Sequence, residues 1–248
     1  MRVPLKWLRE YVACELDAAE LAERLTMAGI AVEEVEDLAA PVAEIVVGRV
    51  HALRRHPGAD RLLLAETDWG KGVRTLVTAA QNLKPGDLVP VAPVGASLPD
   101  GRRIAAAVFA GVASEGMLCS AAELGLERQS DGILVLTGDW PLGSPVAPAI
   151  GLDDRVLVLE LTPNRADCLG LLGVAREVAA VTGGRLRLPT VAPRRDGPEE
   201  CASLARVEVA APDLCPRYAG KVLLDVRVEP SPAWMQHRLR AAGIRPIN

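Results

Sequence analysis

The stretch over residues 111–125, GVASEGMLCSAAELG, leaves a folding chain few options. Gly111 and Gly116 lie five residues apart, and each marks a place where the backbone turns and a Cβ would clash. Between them Ser114 and Glu115 are polar; after them Met117, Leu118 and Cys119 form an apolar plug. Ser120-Ala121-Ala122-Glu123 has the spacing of a capping box, and Gly125 is a stop signal. The segment predicts a strand, a tight turn, buried apolar residues and then one or two turns of helix. A barrel that closes on itself with a helical plug at its end needs this sequence of events. Function, where this segment carries any, would come from exposed hydroxyls and turn amides.

The residues before it fit such a barrel. Short β-type runs over 45–53, 62–67, 73–78, 88–93 and 104–111 are separated by turns with Gly or Pro punctuation. A run over 131–136 closes the region, and 141–148 reads as a linker. Five or so strands of this length imply a small barrel.

The flanks are different. Pro4 opens a helix whose apolar face is Leu5, Leu8 and Val12. Asp17 caps a second helix, with Glu20 three residues on and Gly29 at its end. A strand follows over 30–35. Further along, 156–161 alternates as a strand and 169–182 reads as a helix stopped by Gly183-Gly184. Residues 188–200 read as a second linker. Strands are expected over 206–210 and 222–228, and Ser231-Pro232 is expected to cap a last helix over 234–242.

Charge restricts the function. The chain of 248 residues carries a net charge of −4, which excludes a uniformly basic nucleic-acid clamp. The balance is uneven: net −5 over residues 1–38, −1 over 39–150 and +2 over 151–248. Nucleic-acid contact therefore has to use local patches. Five scattered cysteines without a CxxC pair read as reduced thiols of a cytoplasmic protein, and the three histidines make no metal-ligand spacing with them. No signal peptide and no membrane-spanning run is expected. No nucleophile elbow, HExxH, phosphate loop or dinucleotide fingerprint is present, so no catalytic residue is assigned.

Two sets of motifs resemble a known family. Ser114-Glu115-Gly116-Met117-Leu118-Cys119-Ser120 resembles the signature of the tRNA-binding OB-fold domain of several aminoacyl-tRNA synthetases. His56-Pro57-Gly58-Ala59-Asp60-Arg61-Leu62 resembles its His-Pro-x-Ala-Asp-x-Leu motif. Asn82 also has a family counterpart, although Thr78-Ala79-Ala80-Gln81 departs from the usual approach to it. Outside the barrel, Arg2-Val3-Pro4, Trp7-Leu8, Tyr11-Val12, the stretch from Thr162 to Cys168 and Arg176 to Ala179 are similar to the bacterial phenylalanyl-tRNA synthetase β subunit.

The resemblance implies an α+β protein. An OB barrel (39–150) would be inserted into a discontinuous domain (1–38 with 151–190), followed by the start of a truncated domain (200–248). It further implies tRNA and an α subunit as partners, in an assembly of two α and two β subunits. ATP and Mg²⁺ would serve the complete enzyme, with no cofactor in this chain and with both the aminoacylation and the editing sites elsewhere.

OB folds bind nucleic acid through strands and flanking loops, with cations on phosphates and aromatics under bases. The candidate tRNA-binding residues are Arg54, Arg55, Arg61, Arg74, Asn82, Lys84, Arg102, Arg103 and Ser114. The barrel's aromatics are few: Trp69, Phe109 and Trp140. His237, Arg238, Arg240 and Arg245 form a second basic cluster. Two other readings fit the residues: a free-standing module for tRNA or structured RNA, and a protein-interaction scaffold whose barrel has lost RNA binding.

Overall fold

The computed structural model describes residues 1–191, 197 and 199–248. Strand β1 (Arg2–Pro4) runs straight into helix α1 (Leu5–Tyr11), with Pro4 at its N-cap. Asp154 Oδ1 accepts the backbone N–H of Lys6 at 3.0 Å, supplying a partner that the first turn lacks. Helix α2 (Ala18–Met27) begins on a complete capping box: Asp17 accepts from Ala19 N and Glu20 N, and Glu20 returns a bond to Asp17 N. Strand β2 (Ala31–Asp37) follows.

Next come β3 (Val46–Arg55), β4 (Leu63–Asp68), β5 (Val73–Thr78), β6 (Leu88–Pro93), β7 (Ala107–Phe109), β8 (Val112–Ser114) and β9 (Gly116–Leu118). Strand β10 (Arg155–Glu160) lies between β1 and β2 in a three-stranded antiparallel sheet. Helix α3 (Leu171–Thr182) packs against α1 and α2. Val174, Ala175 and Val178 share a core with Leu5, Leu8, Leu21, Leu25, Leu157 and Leu159. This core draws on residues before 31 and after 156, so two distant pieces of chain bury their apolar faces together.

The middle strands form a five-stranded antiparallel sheet in the order β5-β4-β3-β6-β9. It curls into a nearly closed barrel. The remaining seam lies between β5 and the β8–β9 corner, where Val77 N donates to Ser114 Oγ at 3.0 Å and Glu115 N to Thr75 O at 3.4 Å. Gly116 permits that closure, because a Cβ there would stand 2.9 Å from Ala92 O and 3.4 Å from Leu76 Cδ2.

The hairpin β7–β8 turns through Ala110 (φ 43) and Gly111 (φ 90), both left-handed as a two-residue hairpin turn requires. After β9 the expected helix is a single turn. Ser120 and Glu123 make the capping-box bonds, and Gly125 ends the turn with Leu126 N bonded to Ala121 O at 2.9 Å.

Several expectations give way. Residues 141–148 are not a free linker: Val47 N bonds Ser144 O, Val146 N bonds Ile45 O, and Val146 is fully buried. Apolar Val146 and Ala147 outweigh the Pro and Gly punctuation there. The run over 131–136 joins the barrel through the Leu88–Leu136 bridge and a bond from Leu134 N to Cys119 O at 3.1 Å. Residues 206–210 and 222–228 are not strands. All their Val and Leu side chains but Val222 are exposed, and among the described residues no neighbouring strand offers them a ladder.

Two short helices complete the chain, α4 (Cys201–Leu204) and α5 (Ala233–Ala241). Ser231 does not cap α5; the N-cap position is Pro232, without a side-chain bond. Residues 192–196 and 198 of the expected linker over 188–200 lie outside the described residues.

Candidate nucleic-acid interface

The nine sequence-predicted residues do not form one patch. Arg54 and Arg55 end β3, and Arg61 lies in the turn that leads to β4. The β5–β6 loop reaches this same end of the barrel, where Gln81 Nε2 bonds Arg61 O at 3.3 Å. Arg55 and Arg61 are exposed and, among the described residues, make no ion pair. Arg54 lies diagonal to Glu66 across the β3–β4 ladder and meets it at 2.9 Å.

Arg102 and Arg103 belong to the loop after β6, beyond the start of β3 and so at the other end. Arg102 is held by Asp100 at 2.6 Å, and Arg103 Nε bonds Gly95 O. The Asp100 carboxyl, hydrogen-bonded by Arg102, is held below the ordinary range. Arg74 is paired across the seam with Glu115 at 2.8 Å. Half-exposed pairs of this kind are worth at most about 1 kcal/mol, so an RNA phosphate can compete for the guanidinium. Lys84 is exposed in the β5–β6 loop.

The two neutral candidates are engaged within the fold. Asn82 clamps the backbone of Ile133, its Nδ2 on Ile133 O at 2.8 Å and its Oδ1 accepting Ile133 N at 3.1 Å. Ser114 is 2% exposed; its hydroxyl donates to Gly116 O and accepts from Val77 N. The hydroxyl expected at the surface is therefore part of the closing seam.

His56, which reads as a surface or packing residue in the sequence, is 4% exposed and ties two loops together. Its Nδ1 accepts Gly58 N–H at 3.0 Å, so its Nε2 carries the proton and donates to Phe109 O at 2.9 Å. The carboxylates that neutralise Arg54 and Arg74 were not legible, since only cross-strand register and barrel closure bring them near.

In the second basic cluster His237, Arg238 and Arg240 are half-buried, whereas Arg245 is exposed. Arg238 pairs with Glu10 and lies 5.4 Å from the Trp7 ring and 5.5 Å from the Trp234 ring. Arg240 bonds Gln236 at 2.9 Å. In the stretch from Thr162 to Cys168, the Arg165 guanidinium grips Asp167 and Glu177 and holds the Asp167 carboxyl down at about 2. Among the described residues no three His, Cys, Asp or Glu side chains cluster as metal ligands, and no helix is long and apolar enough to cross a membrane.

Small five-stranded antiparallel barrels of this kind bind oligonucleotides and oligosaccharides, and this one carries exposed guanidinium groups at one end. Residues 45–145 match the family model described as "Putative tRNA binding domain", and residues 214–248 match the B3/4 domain.

Over its whole length the chain is 54% identical to the phenylalanine–tRNA ligase β subunit of Moorella thermoacetica and 44% identical to that of Syntrophus aciditrophicus. It spans 31% of the length of each. A solved MetRS-related protein from Pyrococcus horikoshii is 18% identical, covering 54% of this chain and 99% of that one, with a TM-score of 0.32. The chain is thus similar over its whole length to phenylalanine–tRNA ligase β subunits, and its residues 45–145 match a model of tRNA-binding domains.

Proposed function

We propose that this chain is the tRNA-contacting and scaffolding portion of a cytoplasmic phenylalanine–tRNA ligase, supporting ATP-dependent attachment of phenylalanine to tRNA. The barrel would be an OB fold spanning 39–150, inserted into a domain made of 1–38 and 151–190, with 200–248 beginning a further domain. The ligase would pair two such subunits with two α subunits, which would bind ATP and Mg²⁺. This chain would supply neither the aminoacylation site nor the editing site.

The observation that carries the reading is the basic end of the barrel within the segment matched as a tRNA-binding domain. There Arg55 and Arg61 are exposed, and Arg54 is held only by a surface pair. Arg74, Lys84, Arg102 and Arg103 would be secondary phosphate contacts. Asn82 and Ser114 would hold the loops and seam that present the cations.

The test is tRNA binding to this chain as a function of salt, with Arg54→Glu/Arg55→Glu/Arg61→Glu alongside. Neutralising Z phosphates gives a slope of about −0.7Z to −0.9Z in log K against log salt, so three contacts predict a slope near −2 to −3 that the triple variant flattens. Absence of binding by the parent chain overturns the reading in favour of a scaffold whose barrel does not touch RNA.

A further inference from the structure

The basic end of the barrel is short of charge. Arg54, Arg55 and Arg61 face two nearby carboxylates, Asp60 in the same turn and Glu66 on β4. Phosphate attraction alone is modest there, and nucleic acids bind such surfaces tightly when an aromatic ring supplements the cations.

The barrel's three aromatics are disposed very differently. Trp69 is buried in the barrel core and Trp140 is half-buried. Phe109 is 44% exposed, next to Val108 at 70%. Both lie at the end of β7, beside the left-handed turn Ala110-Gly111. That turn is docked on the basic turn: Gly58 approaches Ala110, and His56, one residue after Arg55, donates from Nε2 to the carbonyl of Phe109 itself. Strand β8 anchors the hairpin to β5 through Ser114. Singly exposed apolar side chains are ordinary on protein surfaces, so it is the position of Phe109, not its exposure, that singles it out. Here the backbone carbonyl of Phe109 is held by buried His56, whose neighbour in the chain is the exposed Arg55.

Resting on the reading of the barrel as the tRNA contact, we infer that Phe109 stacks on an unpaired base of the bound RNA, with His56 positioning its hairpin against the arginine-bearing turn. The ligand feature is a splayed-out nucleotide next to backbone phosphates, as unstacked RNA loops and ends present it. Neither residue does chemistry. His56 acts only through Phe109 and the turn.

The experiment measures binding of unfractionated tRNA and of single-stranded oligouridine to this 248-residue chain and to Phe109→Ala, Phe109→Trp and His56→Ala. Loss of one stacked base predicts weakening by at least about fivefold in Phe109→Ala, with the salt slope unchanged because no phosphate contact is removed. Phe109→Trp keeps a ring and restores affinity. His56→Ala weakens binding while the Phe109→Ala/His56→Ala double variant weakens it little further, since both act through one ring.

A parent chain that binds with a steep salt slope while Phe109→Ala binds equally well overturns the inference and leaves the barrel an RNA-binding module. A parent chain that does not bind at all overturns the underlying reading. A Phe109→Ala variant that flattens the salt slope also overturns the inference, because the side chain then supports the arginines rather than a base.

Discussion

Two regions of this chain have similar local composition and opposite fates. The barrel strands and the segment 205–230 are both rich in Val and Leu with short spacing. In the barrel Val47, Val50, Leu76, Val89 and Val91 are fully buried. In the later segment Val207, Val209, Leu223, Leu224, Val226 and Val228 stand in solvent. Strand propensity measures how well a side chain fits a half-buried pleated surface, and it acts only where a partner strand supplies that surface. The barrel holds its partners within about 75 residues and closes on itself. The later segment finds none among the described residues.

The largest effect that sharpens this contrast is steric. Gly116→Val drives a side chain onto Ala92 O at the closing seam and is expected to cost about 3 kcal/mol or more. Gly220→Val meets only the Val207 methyl at 3.7 Å and is expected to stay within about 0.5 kcal/mol. Urea unfolding followed by the fluorescence of buried Trp69 separates the two. Equal costs would mean that the later segment is packed after all.

A cavity comparison comes next in size. Leu76→Ala empties a fully buried position in the barrel and is expected to cost about 2–5 kcal/mol. Leu224→Ala, at a side chain 57% exposed, removes almost no packing and is expected within about 0.5 kcal/mol. The same unfolding curves give both values, and a large loss at Leu224 would break the contrast.

The smallest expected effect leaves stability untouched and is read as thiol chemistry. Burial pushes the Cys119 thiol in the barrel up to about 12, whereas Cys201 is exposed. The thiolate is the reacting form. At pH 8 a thiol reagent under native conditions is therefore expected to label Cys201 within the first fast phase and Cys119 only on unfolding. Labelling mapped by mass spectrometry checks this; early modification of Cys119 would show that the seam opens readily.

Much of the fold was legible because its signals are local. Asp17 and Glu20 announced the start of α2, and the runs over 73–78 and 88–93 matched β5 and β6 residue for residue. The candidate site was legible in part. The arginines could be named from charge and turn position, but not sorted. Register placed Glu66 beside Arg54, closure placed Glu115 beside Arg74, and burial turned Ser114 from a surface hydroxyl into a structural one. His56 in a His-Pro turn carried no sign that its ring would hold a hairpin 53 residues away.

By itself the sequence determined the capped helices, the short strands, the glycines of the turns and the likeness to phenylalanine–tRNA ligase β subunits, since these rest on neighbouring residues and on motifs. Only the tertiary structure decided which strands find partners, which guanidinium groups stay free and which aromatic faces water. Those outcomes depend on surfaces brought together from distant parts of the chain, where hydrogen-bond ladders and burial, rather than local preference, set the free energy.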